Sequence, residues 1–324
     1  MRALTLSGNR ARLDTAYPAP APGGGEALIR PVLMGLCATD LELIKGYMGF
    51  NGVLGHEFVG MVEECPGQPE LVGARVVGEI NLACGQCPTC LRGDREHCPA
   101  RTVLGIFGHD GCFADLFTLP VENLHIVPGD VPDTAAVFAE PLAAALRIRH
   151  QVSLGPDTRV AALGDGKLGL LVAQALSLSD CGLMVIGKHR EKLALLERQG
   201  IATSLAGELV ERAAFDVVVD STGSPDGLAM ALDLVRPRGT IVLKTTVAKP
   251  APVEVNRLVI NEITLIGSRC GPMGEALYTL SRGLVDVESL ITDIIPLERG
   301  EEALERAAQK GSLKILIENR ANVS

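Results

Sequence analysis

The chain has 324 residues, 47% of them hydrophobic and 21% charged, and carries a net charge of −9. This length allows two domains with separate cores, and the composition is that of a globular protein rather than a disordered one. The negative charge without a basic stripe argues against a nucleic-acid partner. No apolar run is long enough for a membrane-spanning helix, and the N-terminus has no features of a secretory signal. We therefore expect a cytoplasmic protein with neither nucleic acid nor membrane as partner.

The predicted elements change in character along the chain. Up to about residue 145, Gly, Pro and short apolar runs such as "EALIRPVLMG" and "EFVGMVEE" predict short strands joined by turns. Beyond residue 159, strands and helices alternate. The predicted strands are "RVAALG", "GLMVIG", "FDVVVDSTG", "GTIVLKTT" and "ITLIGS", and the predicted helices include "KLGLLVAQALSLS" and "REKLALLERQG". Such alternation predicts an α/β domain with a doubly wound parallel sheet; a helix in "GEALYTLSRGLVD" and a strand "KILIE" follow it.

Clustered cysteines in a chain without a secretory signal indicate metal binding more than disulfides. In "CGQCPTCLRGDREHC", four of the nine cysteines are spaced C-x2-C-x2-C-x7-C: Cys84, Cys87, Cys90 and Cys98. Four thiolates close the coordination shell, so we expect a structural zinc. A metal-free loop is one alternative, and an iron–sulfur cluster is another, since Pro99 follows the last cysteine. The remaining cysteines outside any ligand spacing are expected to be isolated thiols: Cys65, Cys112, Cys181 and Cys270.

The segment "LGDGKLG" follows an apolar strand and begins a helix, which is the setting of a dinucleotide-binding loop. Gly164 would allow the tight turn, Gly166 the approach of a pyrophosphate, and Gly169 the packing of helix on strand. The phosphates would lie at the helix N-terminus, beside Lys167 and Leu168. A turn without any ligand is the alternative.

The next strand ends in "VIGKHREK", where an NAD-binding site needs a carboxylate for the ribose 2′-hydroxyl. Gly187, Lys188, His189 and Arg190 stand there instead. Lys188 and Arg190 could bind a 2′-phosphate, so the sequence predicts a preference for NADP(H) over NAD(H). Alternatively, these basic residues simply begin a solvated helix.

A catalytic zinc needs three protein ligands and one open position. Cys37 in "GLCATD" and His56 in "GHEFVG" are natural first ligands. The nearest carboxylates are Glu57 and, in "FAEPLAAAL", Glu140. A buried thiol and an ordinary core histidine are the alternative reading of the first pair.

Five motifs occur in one order: "GLCATD", "GHEFVG", the four-cysteine segment, "EPLAAA" and "LGDGKLG". Over nearly its whole length, the chain thereby resembles the zinc-dependent medium-chain alcohol and polyol dehydrogenases. The resemblance implies a Rossmann domain plus a mostly β, GroES-like catalytic domain. It also implies two zinc ions per chain and a nicotinamide cofactor.

The resemblance gives roles to individual residues. Cys37 and His56 would be ligands of the catalytic zinc, and Glu140 falls at the family's third-ligand position. Glutamate there is similar to the sorbitol, threonine and glucose dehydrogenase branches, in which the acid matching Glu57 binds zinc directly or through water. A purely supporting role for Glu57 is the alternative.

Two further residues near the zinc, and one near the C-terminus, gain roles from the same resemblance. Thr39 would take the proton of the substrate hydroxyl, and Asp40 would hydrogen-bond the histidine ligand. Lys314 in "GSLKILI" would lie on the cofactor pyrophosphate.

Residues just past the strand ends complete the predicted cofactor site, because ligands bind there in parallel sheets. They are Thr222, Lys244 and Arg269. Apolar residues in two loops are candidates for the substrate pocket: Tyr47, Met48, Phe50, Ile106 and Phe107.

We therefore expect a catalytic domain from residues 1–147 and 270–324 and a dinucleotide-binding domain from residues 148–269. The predicted activity is hydride transfer between a small alcohol, polyol or carbonyl compound and the nicotinamide, in a homodimer or homotetramer. Three alternatives differ in activity: a zinc-free quinone-type reductase, a nucleotide-binding sensor without turnover, and a lyase or isomerase that uses the nicotinamide transiently.

Overall fold

The structure, a computed structural model, describes residues 1–245 and 253–320. These residues form two compact units. The first unit contains Met1–Glu140, Leu277–Arg282 and the described residues from Leu290 onward. The second unit contains Pro141–Ala276, apart from the gap, and Gly283–Ser289.

The strands and helices are numbered here in chain order. The strands are β1 (Ala3–Ser7), β2 (Arg10–Asp14), β3 (Glu26–Gly35), β4 (Gly52–Val53), β5 (Phe58–Glu64), β6 (Arg75–Gly78), β7 (Asn81–Leu82), β8 (Thr102–Leu104), β9 (Gly108–His109), β10 (Phe117–Pro120), β11 (Leu124–Ile126), β12 (Arg159–Leu163), β13 (Gly182–Gly187), β14 (Ala202–Leu205), β15 (Phe215–Asp220), β16 (Val235–Leu243), β17 (Thr264–Gly267), β18 (Ile291–Pro296) and β19 (Lys314–Glu318). The helices are α1 (Ala38–Ile44), α2 (Pro88–Leu91), α3 (Asp133–Ala136), α4 (Ala139–Leu146), α5 (Lys167–Ser177), α6 (Arg190–Glu197), α7 (Gly227–Leu234), α8 (Val255–Ile260), α9 (Met273–Ser281) and α10 (Gly300–Ala307).

The described part of the first unit is built around a seven-stranded sheet with the order β11-β6-β5-β3-β19-β18, in which β10 also pairs with β3. The long strand β3 lies at its centre, and most of its residues are buried. It pairs antiparallel with β5, with Met34 opposite Phe58. Two smaller sheets, β2-β1-β4 and β7-β8-β9, complete the unit within the described residues. The mostly β character predicted for this region is confirmed.

The second unit contains a parallel sheet of six described strands in the order β14-β13-β12-β15-β16-β17. The chain runs outward from β12 in one direction and then returns to add β15 on its other side. This is the doubly wound order of dinucleotide-binding domains, which places ligands at the carboxyl ends of the strands where the order reverses. Ala161 and Leu163 of β12 are fully buried, as expected for a central strand covered on both faces. The predicted fold class is therefore confirmed.

The compact second unit includes three segments that the sequence assigned to the catalytic domain, residues 141–147, 270–276 and 283–289. Close backbone contacts explain the difference. The Lys244 ammonium donates to the carbonyl of Ala144 at 2.6 Å, and a Cβ at Gly271 would lie only 1.9 Å from the carbonyl oxygen of Ala143. These contacts attach the second half of α4 and the start of α9 to the parallel-sheet unit. None of the helices formed by the described residues has the length and apolarity needed to cross a membrane.

Candidate active site and metal centres

The first candidate centre is a group of three donors: Cys37, His56 and Glu57. Their ligand atoms all lie within 4.8 Å of one another. The antiparallel pairing of β3 and β5 brings them together, because Cys37 follows the end of β3 and the other two precede β5. The Gly35 amide donates to the carbonyl of Glu57 at 2.8 Å and extends that pairing. His56 and Glu57 are buried, whereas Cys37 is half-buried.

Asp40, in the first turn of α1, supports two members of this donor group. Its Oδ2 accepts a hydrogen bond from the backbone amide of Cys37 at 2.8 Å. Its Oδ1 lies 3.4 Å from His56 Nδ1, and both residues are almost completely buried. Burial tends to lower the pKa of His56, but the Asp40 carboxylate outweighs it, so the pKa is raised well above its usual value. A carboxylate beside Nδ1 leaves Nε2 as the nitrogen available to a metal.

Glu57 also forms an ion pair with Lys314, in which the Lys314 ammonium contacts Glu57 Oε2 and both side chains are buried. Gly35 makes space for this pair, since a Cβ there would lie 2.5 Å from Glu57 Oε2 and 2.7 Å from Lys314 Cε. Burial lowers the pKa of Lys314 to about 8, although the negative charges of Cys37 and Asp40 partly oppose the shift. The sequence predicted Lys314 on the cofactor pyrophosphate. Its ammonium lies instead beside the donor group, buried and paired.

Two other predicted residues lie near this centre in different ways. The Thr39 hydroxyl is 3.7 Å from Cys37 Sγ, so it lies beside the donor group as expected. Glu140 is half-buried in the first turn of α4. Among the described residues, its carboxylate is not part of the group whose atoms all lie within 4.8 Å of one another. The structure thus brings Glu57 into the compact group, and the assignment of Glu140 as the third ligand stays a prediction.

The second candidate centre is the four-cysteine group, Cys84, Cys87, Cys90 and Cys98. Four of its sulfur–sulfur distances are 3.5, 3.6, 3.8 and 3.9 Å. Tetrahedral zinc with bonds of about 2.3 Å requires sulfur atoms about 3.8 Å apart, so the sulfur atoms are already spaced for zinc. The short helix α2, which begins just after Cys87, gives the loop the curvature that this convergence needs.

The thiols of this group are unequal in acidity. A hydrogen bond from the Cys90 backbone lowers the pKa of Cys87 to about 6. Burial and the neighbouring Cys87 raise the pKa of Cys90 to about 12. Four adjacent sulfurs cannot all ionise without a cation between them. Zinc binding would remove this conflict, because it stabilises the thiolate form of each ligand.

The glycine loop has the local geometry that a dinucleotide needs. Gly164 has φ +112°, and a Cβ there would lie 2.8 Å from the Ser221 carbonyl oxygen. Gly166 is the N-cap of α5, and a Cβ there would meet no atom of the described residues within 4 Å, so the backbone is open to a ligand. At Gly169 a Cβ would lie 2.2 Å from the Gly164 carbonyl oxygen, so helix and strand pack closely. Lys167 and Leu168 form the first turn of α5, where amide groups face any bound phosphate.

The basic residues after β13 are less available than the sequence suggested. Arg190 is exposed and pairs with Glu208 at 3.0 Å. The His189 ring lies 3.1 Å from an Asp165 carboxylate oxygen. Lys188 is exposed, and its side chain has no partner among the residues that the structure describes. One of the two predicted phosphate-binding cations is therefore already in an ion pair.

Sequence reasoning missed Asp165, the variable residue between the first two glycines of the loop. Its Oδ2 accepts hydrogen bonds from the backbone amides of Lys188 and His189, each at 2.6 Å. The prediction of NADP(H) was based on the absence of an acid from the residues that end β13, and Asp165 brings a carboxylate from the glycine loop to that strand end. The signal available in the sequence was the joint occurrence of an acid in the glycine loop and a glycine, Gly187, at the strand end.

The residues predicted past the other strand ends have structural partners. Thr222 donates through its hydroxyl to Asp220 at 2.8 Å, within the turn that follows β15. Lys244 is buried, and its ammonium donates to the carbonyls of Ala144 and Arg269 at 2.6 and 2.8 Å. A third contact, to a serine hydroxyl at 3.3 Å, uses its remaining donor capacity. Lys244 therefore links two backbone segments and does not present its charge to a cofactor. The side chain of Arg269 is exposed.

The predicted pocket residues divide by exposure. Met48 and Phe107 are each about half exposed, at 50% and 48%. Phe50 is buried, and a Cβ at Gly52 would lie 3.2 Å from its ring. Tyr47 and Ile106 are intermediate. Exposed apolar side chains can receive a ligand, so Met48 and Phe107 are better candidates for a pocket wall than Phe50.

Comparison with known families agrees with this geometry. Residues 23–129 match the alcohol dehydrogenase GroES-like domain, and residues 168–283 match the zinc-binding dehydrogenase domain. The first match contains the three-donor group and the four cysteines. The second begins inside the glycine loop.

Individual relatives align over nearly the full chain. L-threonine 3-dehydrogenase of Streptomyces coelicolor is 31% identical, covering 93% of this chain and 94% of the relative. Sorbitol dehydrogenase of Halalkalibacterium halodurans is 27% identical, covering 93% of each chain. A structure from Sinorhizobium meliloti 1021 with NADP bound superposes with a TM-score of 0.88 at 25% identity, covering 98% of this chain and 99% of the other.

The chain belongs to the zinc-dependent medium-chain alcohol and polyol dehydrogenases. It is an NAD(P)-dependent oxidoreductase of the alcohol dehydrogenase type, as the sequence predicted. A zinc-free reductase is not favoured, because it would not need Cys37, His56 and Glu57 in one donor group.

Proposed function

We propose that this enzyme transfers a hydride between a small alcohol or polyol and a nicotinamide dinucleotide, at a zinc ion held by Cys37, His56 and Glu57. The convergence of these three donors within 4.8 Å is the observation that carries the proposal. Thiolate, imidazole and carboxylate are all zinc ligands, and three protein ligands leave one position for the substrate. The names of the two relatives, threonine and sorbitol dehydrogenase, support a small hydroxylated substrate.

The bound zinc would supply Lewis acidity toward the substrate oxygen, and the nicotinamide would accept or donate the hydride. The Thr39 hydroxyl, 3.7 Å from Cys37 Sγ, would take the proton of the substrate hydroxyl and pass its own proton on, away from the site. Asp40 would hold His56 in one orientation through Nδ1, and its bond to the Cys37 amide would fix the start of α1. Lys314 would offset the charge of Glu57, so that a thiolate and a carboxylate can share one buried site.

Of the two carboxylates, we propose Glu57 as the third protein ligand, through the oxygen that Lys314 does not contact. Glu140 remains the ligand that the family resemblance implies. It lies in the first turn of α4 and would be the alternative third ligand. The two assignments differ in which substitution releases the metal.

A second zinc ion would bind the four cysteines and stabilise the loop that carries them. The sulfur–sulfur distances of 3.5–3.9 Å support this assignment over an empty loop. Both centres require reduced thiols, which a cytoplasmic location would maintain.

Some observations favour NADP(H) as the dinucleotide, and others favour NAD(H). The unpartnered Lys188 and the NADP in the Sinorhizobium structure support the NADP(H) preference that the sequence predicted. The Arg190–Glu208 pair and the position of Asp165 oppose it.

We also propose a homo-oligomer in which the second unit supplies the interface. Among the described strands, β17 lies at one edge of the parallel sheet, and Leu265 on it is 38% exposed. The neighbouring helix α8 exposes three apolar side chains, Val255, Val259 and Ile260. An unprotected apolar edge is a common site of pairing with a second chain. Light scattering of the wild-type protein and of Val259→Glu would test this, with a shift toward monomer expected in the variant.

The activity is tested with a panel of alcohols, polyols and aldehydes, each supplied with both dinucleotides and followed by the absorbance of the reduced nicotinamide. We expect turnover of at least one small hydroxylated compound and its loss in Cys37→Ser. Cys181→Ser is a matched control, because this thiol lies in the second unit and hydrogen-bonds the carbonyl of Leu176 in α5. Undiminished turnover in Cys37→Ser would contradict the proposed metal centre.

A further inference from the structure

The end of β13 carries a carboxylate that comes from a different part of the chain. In dinucleotide-binding domains an acid at this strand end usually binds the ribose 2′-hydroxyl. The last residue of β13 here is Gly187. A Cβ at Gly187 would lie 2.6 Å from Asp165 Oδ2 and 2.8 Å from Asp165 Cβ. Asp165 therefore fills the space that a side chain of residue 187 would occupy.

Asp165 is held firmly in this position. Its Oδ2 accepts the backbone amides of Lys188 and His189, each at 2.6 Å, and the His189 ring lies 3.1 Å from both carboxylate oxygens. Burial tends to raise the pKa of Asp165, but the hydrogen bonds from His189 and Lys188 outweigh it, so its pKa is lowered. The carboxylate is therefore negatively charged at neutral pH.

The two amides are significant because a 2′-phosphate at this strand end would need donors of this kind. Asp165 Oδ2 already occupies both. Among the described residues, Oδ1 has only the His189 ring within hydrogen-bonding distance, so it keeps acceptor capacity for a hydroxyl. An anionic phosphate placed here would lose the amides and meet a fixed negative charge.

We infer that Asp165 selects NAD(H) over NADP(H), by accepting a ribose hydroxyl through Oδ1 and by excluding a 2′-phosphate from the amides of Lys188 and His189. The inference rests on the proposed function, since it requires a dinucleotide on the glycine loop. It gives Asp165 and Gly187 a joint role: the glycine creates the space, and the loop aspartate supplies the charge.

The nearby cations do not offset the negative charge of Asp165 enough to attract a 2′-phosphate. Arg190 is paired with Glu208 at 3.0 Å, and the His189 ring faces Asp165 itself. Lys188 is exposed, so it would have to be ordered before it could contact a phosphate, and exposed pairs of this kind contribute little. Asp165 is buried and already ordered, so its repulsion of a 2′-phosphate should outweigh the attraction of Lys188.

The first test uses fragments that lack the nicotinamide, so that binding is measured without turnover. Isothermal titration of the full-length protein with 5′-AMP and with 2′,5′-ADP gives the two dissociation constants. We expect 5′-AMP to bind at least about tenfold more tightly, which is about 1.4 kcal/mol. NADH and NADPH, followed by their fluorescence, should show the same order. Equal or tighter binding of 2′,5′-ADP and NADPH would overturn the inference. Binding of none of the four would contradict the proposed function and the inference with it.

The second test changes the carboxylate. In Asp165→Asn the ratio of the dissociation constants for 2′,5′-ADP and 5′-AMP should fall by about tenfold or more, because the negative charge is lost while the shape of the side chain is kept. Gly187→Ala should lower this ratio as well, by displacing the Asp165 side chain. Asp157→Asn is the matched control, an exposed aspartate before β12, and should keep the wild-type ratio. A wild-type preference that survives in both Asp165→Asn and Gly187→Ala would overturn the assignment to Asp165.

Discussion

The two donor groups of the first unit are built in opposite ways. The four cysteines lie within residues 84–98, on one loop, and all supply the same atom. The other group joins Cys37 after β3 with His56 and Glu57 before β5, and it depends on Lys314, which is 257 residues from Glu57 in the chain. A local, uniform set closes around its metal and serves stability. A set assembled by the fold mixes donor types and leaves a position for chemistry.

The largest expected effect separates the two groups by activity. Cys37→Ser should lower turnover about a thousandfold or more, because the Lewis acid contributes several kcal/mol to the transition state. The variant should lose one zinc per chain and keep nearly the same melting temperature. Steady-state rates and zinc content measure both effects, with Cys181→Ser as control. A variant with full zinc content and normal rates would remove the distinction between the groups.

The next largest effect should be a loss of stability. Cys90→Ser removes a buried ligand of the closed group, and binding of structural zinc is coupled to folding of its loop. We expect loss of the other zinc and a lower melting temperature, together with faster proteolysis within residues 84–98. A melting temperature unchanged from the wild type would show that the four cysteines are not a folding element.

Gly35→Ala sharpens the comparison, because its added methyl group would meet the ion pair behind the donor group. The new Cβ would lie 2.5 Å from Glu57 Oε2 and 2.7 Å from Lys314 Cε. Overpacking of this kind costs about 1–3 kcal/mol, so denaturant unfolding should show a loss in that range. Gly24→Ala is the control, since a Cβ there meets nothing within 4 Å. Equal stability of the two variants would mean that the Glu57–Lys314 pair can move freely.

The smallest effect distinguishes the two carboxylates. Glu57→Gln should lower zinc retention under mild chelation by about tenfold or more, as loss of a ligand or its support does. Glu140→Gln should have a smaller effect, and Glu64→Gln, an exposed acid on β5, should have none. Greater loss from the Glu140 variant would restore the order that the family resemblance implies.

Features that depend on neighbouring residues were predictable from the sequence. The spacing of the four cysteines and the glycines of the loop directly specify local geometry. The strand "GLMVIG" also appears with its predicted ends, as β13. The strand–helix alternation was sufficient to predict the parallel sheet.

Three features that depend on distant contacts were not predictable. Asp165 accepts the amides after β13 because β12 and β13 are adjacent in the sheet. Asp165 and Lys188 are 23 residues apart in the chain. The burial of Lys314 against Glu57 follows from the pairing of β19 with β3. Likewise, one partner of Lys244, the carbonyl of Ala144, lies on a segment that the sequence assigned to another domain. In each case charge and residue type were visible, but the neighbour was not.

Stepwise removal of zinc from the wild-type enzyme tests the central distinction most directly. Zinc content, the rate of nicotinamide reduction and the melting temperature are followed on the same samples during titration with a chelator. We predict that activity disappears with the first zinc equivalent while the melting temperature holds, and that the melting temperature falls only with the second. Activity that persists after the first equivalent has gone, or a melting temperature that falls together with activity, would contradict separate catalytic and structural centres.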